Sequence, residues 1–185
     1  MNRIRTLMLM VIIIFCGTVW SHYKSMARAE IPKLPDFEHT SNVQFLHNVK
    51  QCVEYVYFHN DVKEVNQELL LAQAALESGW GTSRFAKEGN NLFGIRTYDL
   101  KEPHMLPSNN PKKWGVKVYM HECDSVLNYI NVLNNGTAFK KYRKLREEGI
   151  TDPFILTETL DAYATDTNYF LKIKSILRKI RKDYQ

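Results

Sequence analysis

The chain has 185 residues, 44% of them hydrophobic and 24% charged, which suits one packed domain and excludes a disordered one. A core of that size stands without staples of metal or disulfide. The net charge of +5 suits nucleic acid, anionic lipid or an acidic polymer. The densest basic stretch, residues 172–182, interleaves with Ile173, Ile176, Leu177 and Ile180, so it reads as the solvated face of an amphipathic helix rather than a nucleic-acid arm.

At the N-terminus, Arg3 and Arg5 precede an apolar run over residues 7–20, which falls short of the ~20 residues a membrane-spanning helix needs. Ala27-Arg28-Ala29 then supplies the small residues of a cleavage site. Residues 1–29 are therefore expected to be a signal peptide, or an uncleaved signal anchor because residues 21–26 lengthen the gap. Either way the domain is expected outside the cytoplasm, free or held to the inner membrane by that segment alone. Residues 30–40, with Pro32 and Pro35, read as an extended connector, and residues 41–185 as the domain proper. Beyond Cys16, the cysteines Cys52 and Cys123 can form one disulfide or remain two buried thiols.

Ser41 with Gln44 makes a capping box, after which Val43, Leu46, Val49, Val53 and Val56 recur at helical spacing. A second helix is expected over residues 67–77, rich in Ala and Leu and apolar nearly all round, as a helix at the centre of a fold is. Gly79 and Gly81 stop it. Residues 93–98 and 114–119 are short aromatic and β-branched runs, expected to form a hairpin around a long loop with Pro103, Pro107 and Pro111. Helices return with Val126, Ile130 and Leu133, closed by Asn134-Asn135-Gly136, and with Phe139, Tyr142 and Leu145. Another opens at Asp152-Pro153, and the last carries Phe170, Ile173, Ile176 and Ile180. The expected fold is a single α+β domain, mainly helical, with a small β-hairpin lobe inserted midway.

Glu77 is the residue through which this sequence can do chemistry. It ends the most apolar helix and is followed by Ser78-Gly79-Trp80-Gly81. A carboxyl leaving a buried helix is partly desolvated, which favours its neutral form and raises its pKa. A general acid working near neutral pH needs that shift. A solitary glutamate would more simply cap a helix or pair with an arginine. The flanking residues argue otherwise. The segment Ala72-Gln73-Ala74-Ala75-Leu76-Glu77-Ser78-Gly79-Trp80-Gly81-Thr82-Ser83-Arg84-Phe85-Ala86 closely resembles the signature of the family-73 glycoside hydrolases, nearest their Bax-like branch. Gly89-Asn90-Asn91-Leu92-Phe93-Gly94-Ile95 follows, as in that family. Tyr163-Ala164-Thr165-Asp166-Thr167-Asn168-Tyr169 looks like its third element, with Thr167 in place of the usual proline.

The resemblance implies a lysozyme-like fold with a glycan cleft between the helical and β lobes. It also implies cleavage of the N-acetylglucosaminyl-β-1,4-N-acetylmuramyl bond of peptidoglycan by a monomer without cofactor. Glu77 falls on the catalytic acid and Tyr163 on a tyrosine of the cleft. The second carboxylate is expected between the first block and the last strand, where Glu102 is preferred over Asp99. Trp80, Asn91, Phe93, Tyr98, Trp114 and Tyr169 are the expected substrate-binding residues. The six histidines show no metal-ligand spacing. Two other readings stay open. One is a lytic transglycosylase working through Glu77 alone, and the other a wall-binding protein without activity.

Overall fold

The computed structural model describes residues 30–108, 113–161, 163 and 166–184. The expected leader, residues 1–29, lies outside them. No helix among the described residues is long and apolar enough to cross a membrane.

Helix α1 spans Asn42–His59 and α2 Gln67–Ser78; α3 is a short helix, Arg84–Gly89. Three brief strands follow, β1 Arg96–Thr97, β2 His104–Met105 and β3 Gly115–Lys117. The chain then returns to helices: α4 Glu122–Asn135, α5 Lys140–Glu147 after a 3-10 turn, α6 Pro153–Thr157 and α7 Tyr169–Asp183.

The start of α1 departs slightly from the expected capping box. Ser41 Oγ accepts from the Gln44 N–H, but Gln44 reaches one residue farther back, to the N–H and hydroxyl of Thr40. The buried stripe of α1 is Phe45, Leu46, Val49, Cys52, Val53 and Val56. Val43, expected in that stripe, is exposed, because Phe45 rather than Val43 lies on the inward face.

Helix α2 is the centre of the fold. Leu69, Leu70 and Leu71 are consecutive and all buried. Successive helical residues turn by about 100°, so three in a row can be buried only where neighbours surround the helix. Those neighbours are α1, α6 and α7. Asn66 caps its start, its side chain accepting from the Leu69 N–H at 2.8 Å. Helix α1 also packs along α4, and a disulfide joins Cys52 to Cys123 across that contact.

The expected hairpin is a three-stranded antiparallel sheet in the order β1-β3-β2. The extra strand, His104–Met105, comes from the segment read as irregular loop. Two residues are too short for a period-two pattern to register. Its register sets His104 against Lys117, and Gly115 is required beside it. A β-carbon on Gly115 would lie 2.4 Å from His104 Cδ2, a distance no side chain tolerates.

The disulfide closes a loop of 71 residues. Chain-entropy reasoning gives such a closure about 4 kcal/mol. Cys52→Ala is expected to lower unfolding free energy in urea by roughly that amount, and reducing agent to lower the parent equally. Equal urea midpoints with and without reductant would mean packing alone holds α1 to α4.

Candidate active site

Ser78 locks the turn that presents Glu77. Its buried hydroxyl donates to the Ala74 carbonyl at 2.5 Å and accepts from the Gly81 N–H at 2.7 Å. Gly79, Trp80 and Gly81 all take positive φ, at 58°, 59° and 77°. The glycines adopt that conformation without the steric cost a side chain meets, and Trp80 adopts it between them. Helix α2 thus ends abruptly with Glu77 in its last turn.

The block after α3 folds over the same helix end. Asn91 is buried, and its amide bonds only to backbone: Nδ2 donates to the carbonyls of Ile95 and Lys117, and Oδ1 accepts from the N–H groups of Phe93 and Ile95. Asn91 therefore shapes the loop. Phe93 stacks on Tyr129, with centroids 4.1 Å apart and planes 14° from parallel. Gly94, at φ 63°, lies against the acid: a β-carbon there would sit 3.9 Å from Glu77 Oε2. Gly94 is exposed, so the carboxyl is reached from that side.

Three tyrosines enclose Glu77. Tyr163, half-buried, donates its hydroxyl to the Phe93 carbonyl at 2.8 Å and stacks on Tyr169 with centroids 6.2 Å apart. Tyr169 is buried, and its hydroxyl lies near enough to the Glu77 carboxylate to favour its charged form. Tyr129, fully buried, lies edge-on to Tyr163. Burial raises the Glu77 pKa above the ordinary carboxylate value, and the Tyr169 hydroxyl partly opposes it. Burial, then the Glu77 charge, pushes Tyr163 and Tyr169 upward, so both stay protonated donors.

The remaining expected residues are spread more widely. Glu102, in the β lobe, accepts from the Thr97 hydroxyl at 3.0 Å and lies 3.3 Å from Lys117 Nζ. Asp99 turns inward on its own loop, accepting from the Lys101 N–H. Neither charge sets the acidity of Glu77, which burial and Tyr169 determine. Tyr98 is exposed, while Trp114 lies under the Arg96 guanidinium, 4.0 Å from its ring centroid. Trp80 turns toward Phe45, Tyr184 and Lys179. It lines a concavity of about 690 Å³ with His39, Lys87 and Met120, and Glu77 is not part of that lining.

His121 lies beside the disulfide, with ligand atoms of the three residues within 4.8 Å of one another. Those atoms are already engaged. The two sulfurs are bonded, His121 Nδ1 accepts from the Cys123 N–H, and Nε2 faces the Pro35 carbonyl at 2.9 Å.

Two residues of this site escaped the sequence reading. Gln73 is a fully buried polar residue one turn before Glu77 in an otherwise apolar helix, and that pattern could have exposed it. Tyr129 had no such signal, sitting within an apolar stripe of α4 where any aromatic reads as core.

With this geometry in view, a family model described as mannosyl-glycoprotein endo-beta-N-acetylglucosaminidase matches residues 58–182. The chain belongs to this glucosaminidase family. It is 30% identical over 125 residues to the exo-glucosaminidase LytG of Bacillus subtilis, a match covering 62% of this chain and 44% of that protein. It is 32% identical over 131 residues to the peptidoglycan hydrolase FlgJ of Vibrio parahaemolyticus, covering 63% and 41%. The chain thus spans less than half the length of these curated relatives. Among solved structures, the catalytic domain of the autolysin Auto from Listeria monocytogenes superposes with a TM-score of 0.57 at 25% identity, covering 87% of this chain and 94% of that domain. The fold is the expected lysozyme-like one, helical with a small β lobe.

The raised pKa of Glu77 has a consequence for stability. A carboxyl whose folded pKa exceeds its unfolded value favours the fold fully below the unfolded pKa and loses that contribution as pH rises through the folded one. Glu77→Gln stays neutral throughout. Its urea midpoint is expected to exceed the parent's near neutral pH and to match it below about pH 4. A variant less stable than the parent at neutral pH would reveal a cation or donor set that outweighs burial.

Proposed function

We propose that this domain is a peptidoglycan hydrolase that cleaves the N-acetylglucosaminyl-β-1,4-N-acetylmuramyl bond, with Glu77 protonating the glycosidic oxygen. One observation carries the reading: a carboxyl at the end of a buried helix, its pKa raised by burial, without a Lys or Arg ion pair among the described residues and open to solvent at Gly94. Burial keeps the proton on the acid toward neutral pH, where it is available for donation to the leaving oxygen. Family membership and the names of the relatives support the substrate class.

Tyr163 and Tyr169 wall the acid, and the Tyr163 hydroxyl oxygen, its proton given to Phe93, keeps lone pairs for an acetamido N–H. Tyr98 and Trp114 offer flat rings on the β lobe for sugar faces. Glu102 is the proposed second carboxylate. It would be the base that activates water, with Lys117 Nζ 3.3 Å away. Residues 1–29 would deliver the domain to the envelope.

A lytic transglycosylase remains the second reading, because the acidity of Glu77 is set without a second carboxylate. Products separate the two. Purified peptidoglycan digested with the protein and reduced with borohydride is expected to yield N-acetylglucosaminitol ends, and anhydromuramyl ends would establish the transglycosylase. Chain-length analysis of the fragments tells endo from exo attack. Glu77→Gln is expected to lower turnover by about 10²–10⁴-fold. Glu102→Gln should produce a comparable loss if that residue is the base, and a loss below about tenfold would remove it from the mechanism. Wall association with no soluble fragments from the parent would leave a binding protein.

A further inference from the structure

Gln73 and Glu77 stand one turn apart on the same face of α2. The Gln73 amide is held from both sides. Its Oε1 accepts from the Tyr129 hydroxyl, and its Nε2 donates to the Tyr169 hydroxyl at 2.7 Å. An amide oxygen can only accept and an amide nitrogen can only donate. Each hydroxyl has one proton, so the order is fixed: Tyr129 gives its proton to Gln73, Gln73 gives an N–H to the oxygen of Tyr169, and Tyr169 keeps its own proton. The carboxylate toward which that proton can turn is Glu77, one turn along α2 from Gln73.

Turning the amide over would reverse this order. Nε2 would then face Tyr129, Oε1 would take the Tyr169 proton, and Glu77 would meet a lone pair. The rings cannot swing away to relieve that conflict. Tyr129 is stacked on Phe93, Tyr169 on Tyr163, and both Tyr129 and Gln73 are wholly buried. Three elements thus meet at one amide: α4 supplies Tyr129, α2 Gln73, and α7 Tyr169.

We propose that Gln73 and Tyr129 are positioning residues, a directional hydrogen-bond chain that aims the Tyr169 hydroxyl proton at Glu77. The chain steadies the carboxylate left once Glu77 has given its proton away, and it keeps burial from making the acid too weak to give one. It rests on the reading of Glu77 as the acid. The titratable groups facing Glu77 are Tyr169 of α7, Tyr163 before that helix, and Tyr129 of α4. Among the described residues, no Lys or Arg forms an ion pair with Glu77.

The test follows the Glu77 carboxyl itself, by carbon-13 NMR titration of the full chain, with Glu77→Gln identifying its resonance. Tyr169→Phe removes the donor and should raise the Glu77 midpoint. Tyr129→Phe removes one oxygen whose hydrogen bond goes to Gln73 rather than to Glu77, and frees the amide to take the Tyr169 proton. It should raise the midpoint in the same direction, by about half a pH unit or more. The double variant should match Tyr169→Phe alone. An unmoved midpoint in Tyr129→Phe, or shifts that add in the double variant, would overturn the relay. Gln73→Leu is the second probe, and if it fails to fold the tyrosine pair decides. Because the midpoint is read without turnover, the relay and the glycosidase reading fail separately. Shifted midpoints with no wall fragments would sink the activity alone, and fragments with unmoved midpoints the relay alone.

Discussion

The structure depends on a helix that has no solvent face. In α2, Leu69, Leu70, Leu71, Ala72, Ala74 and Ala75 are all buried, and each leucine contributes about 1.5–3 kcal/mol by leaving water. That packing tolerates two polar side chains on one stripe, Gln73 and Glu77. The first is fully satisfied by two tyrosines, and the second reaches the surface only at its end. A carboxyl there is partly desolvated, which holds its pKa above the ordinary carboxylate value.

Around that helix the remaining elements act as walls. The loop over residues 90–95 is held by the buried amide of Asn91, which bonds to four backbone groups at once. Its product is the exposed Gly94, where a β-carbon would lie 3.9 Å from Glu77 Oε2 and no side chain blocks approach. Asn90 ties the same loop to the strand exit by donating to the Tyr119 and Met120 carbonyls. The aromatic set Phe93, Tyr129, Tyr163 and Tyr169 then fills the space between the loop and α7. Losing one partner from the buried Tyr129–Gln73–Tyr169 set would leave an unmatched polar group, at about 1–3 kcal/mol. The polar chain and the aromatic packing therefore constrain each other.

The β lobe is built differently. Its strands are two or three residues long, and ion pairs and stacking substitute for core. Glu102 is held by Lys117 and Thr97, and Trp114 lies beneath Arg96. A small lobe held mainly by such surface contacts gives up little when it adjusts to a polymer. Glu77 sits on the helical half and the proposed sugar platforms on the β lobe.

The sequence alone determined every helix but the short α3, because an apolar stripe recurs at helical spacing and caps such as Ser41, Asp152-Pro153 and Gly79 are local in chain. It also marked Glu77, since an acidic residue closing an apolar helix before Ser-Gly-Trp-Gly stands out without any partner. Strand β2 was illegible, because its two residues owe their form to β3 rather than to their own pattern. The role of Asn91 was equally hidden, for a buried scaffold asparagine and a ligand-binding one look alike in sequence. Only the tertiary structure decided which groups meet the acid. Tyr129 is 52 positions from Glu77 by chain numbering and Tyr169 is 92. Hydrogen-bond direction depends on where side-chain atoms stand in space, and chain spacing encodes that only within a single helix.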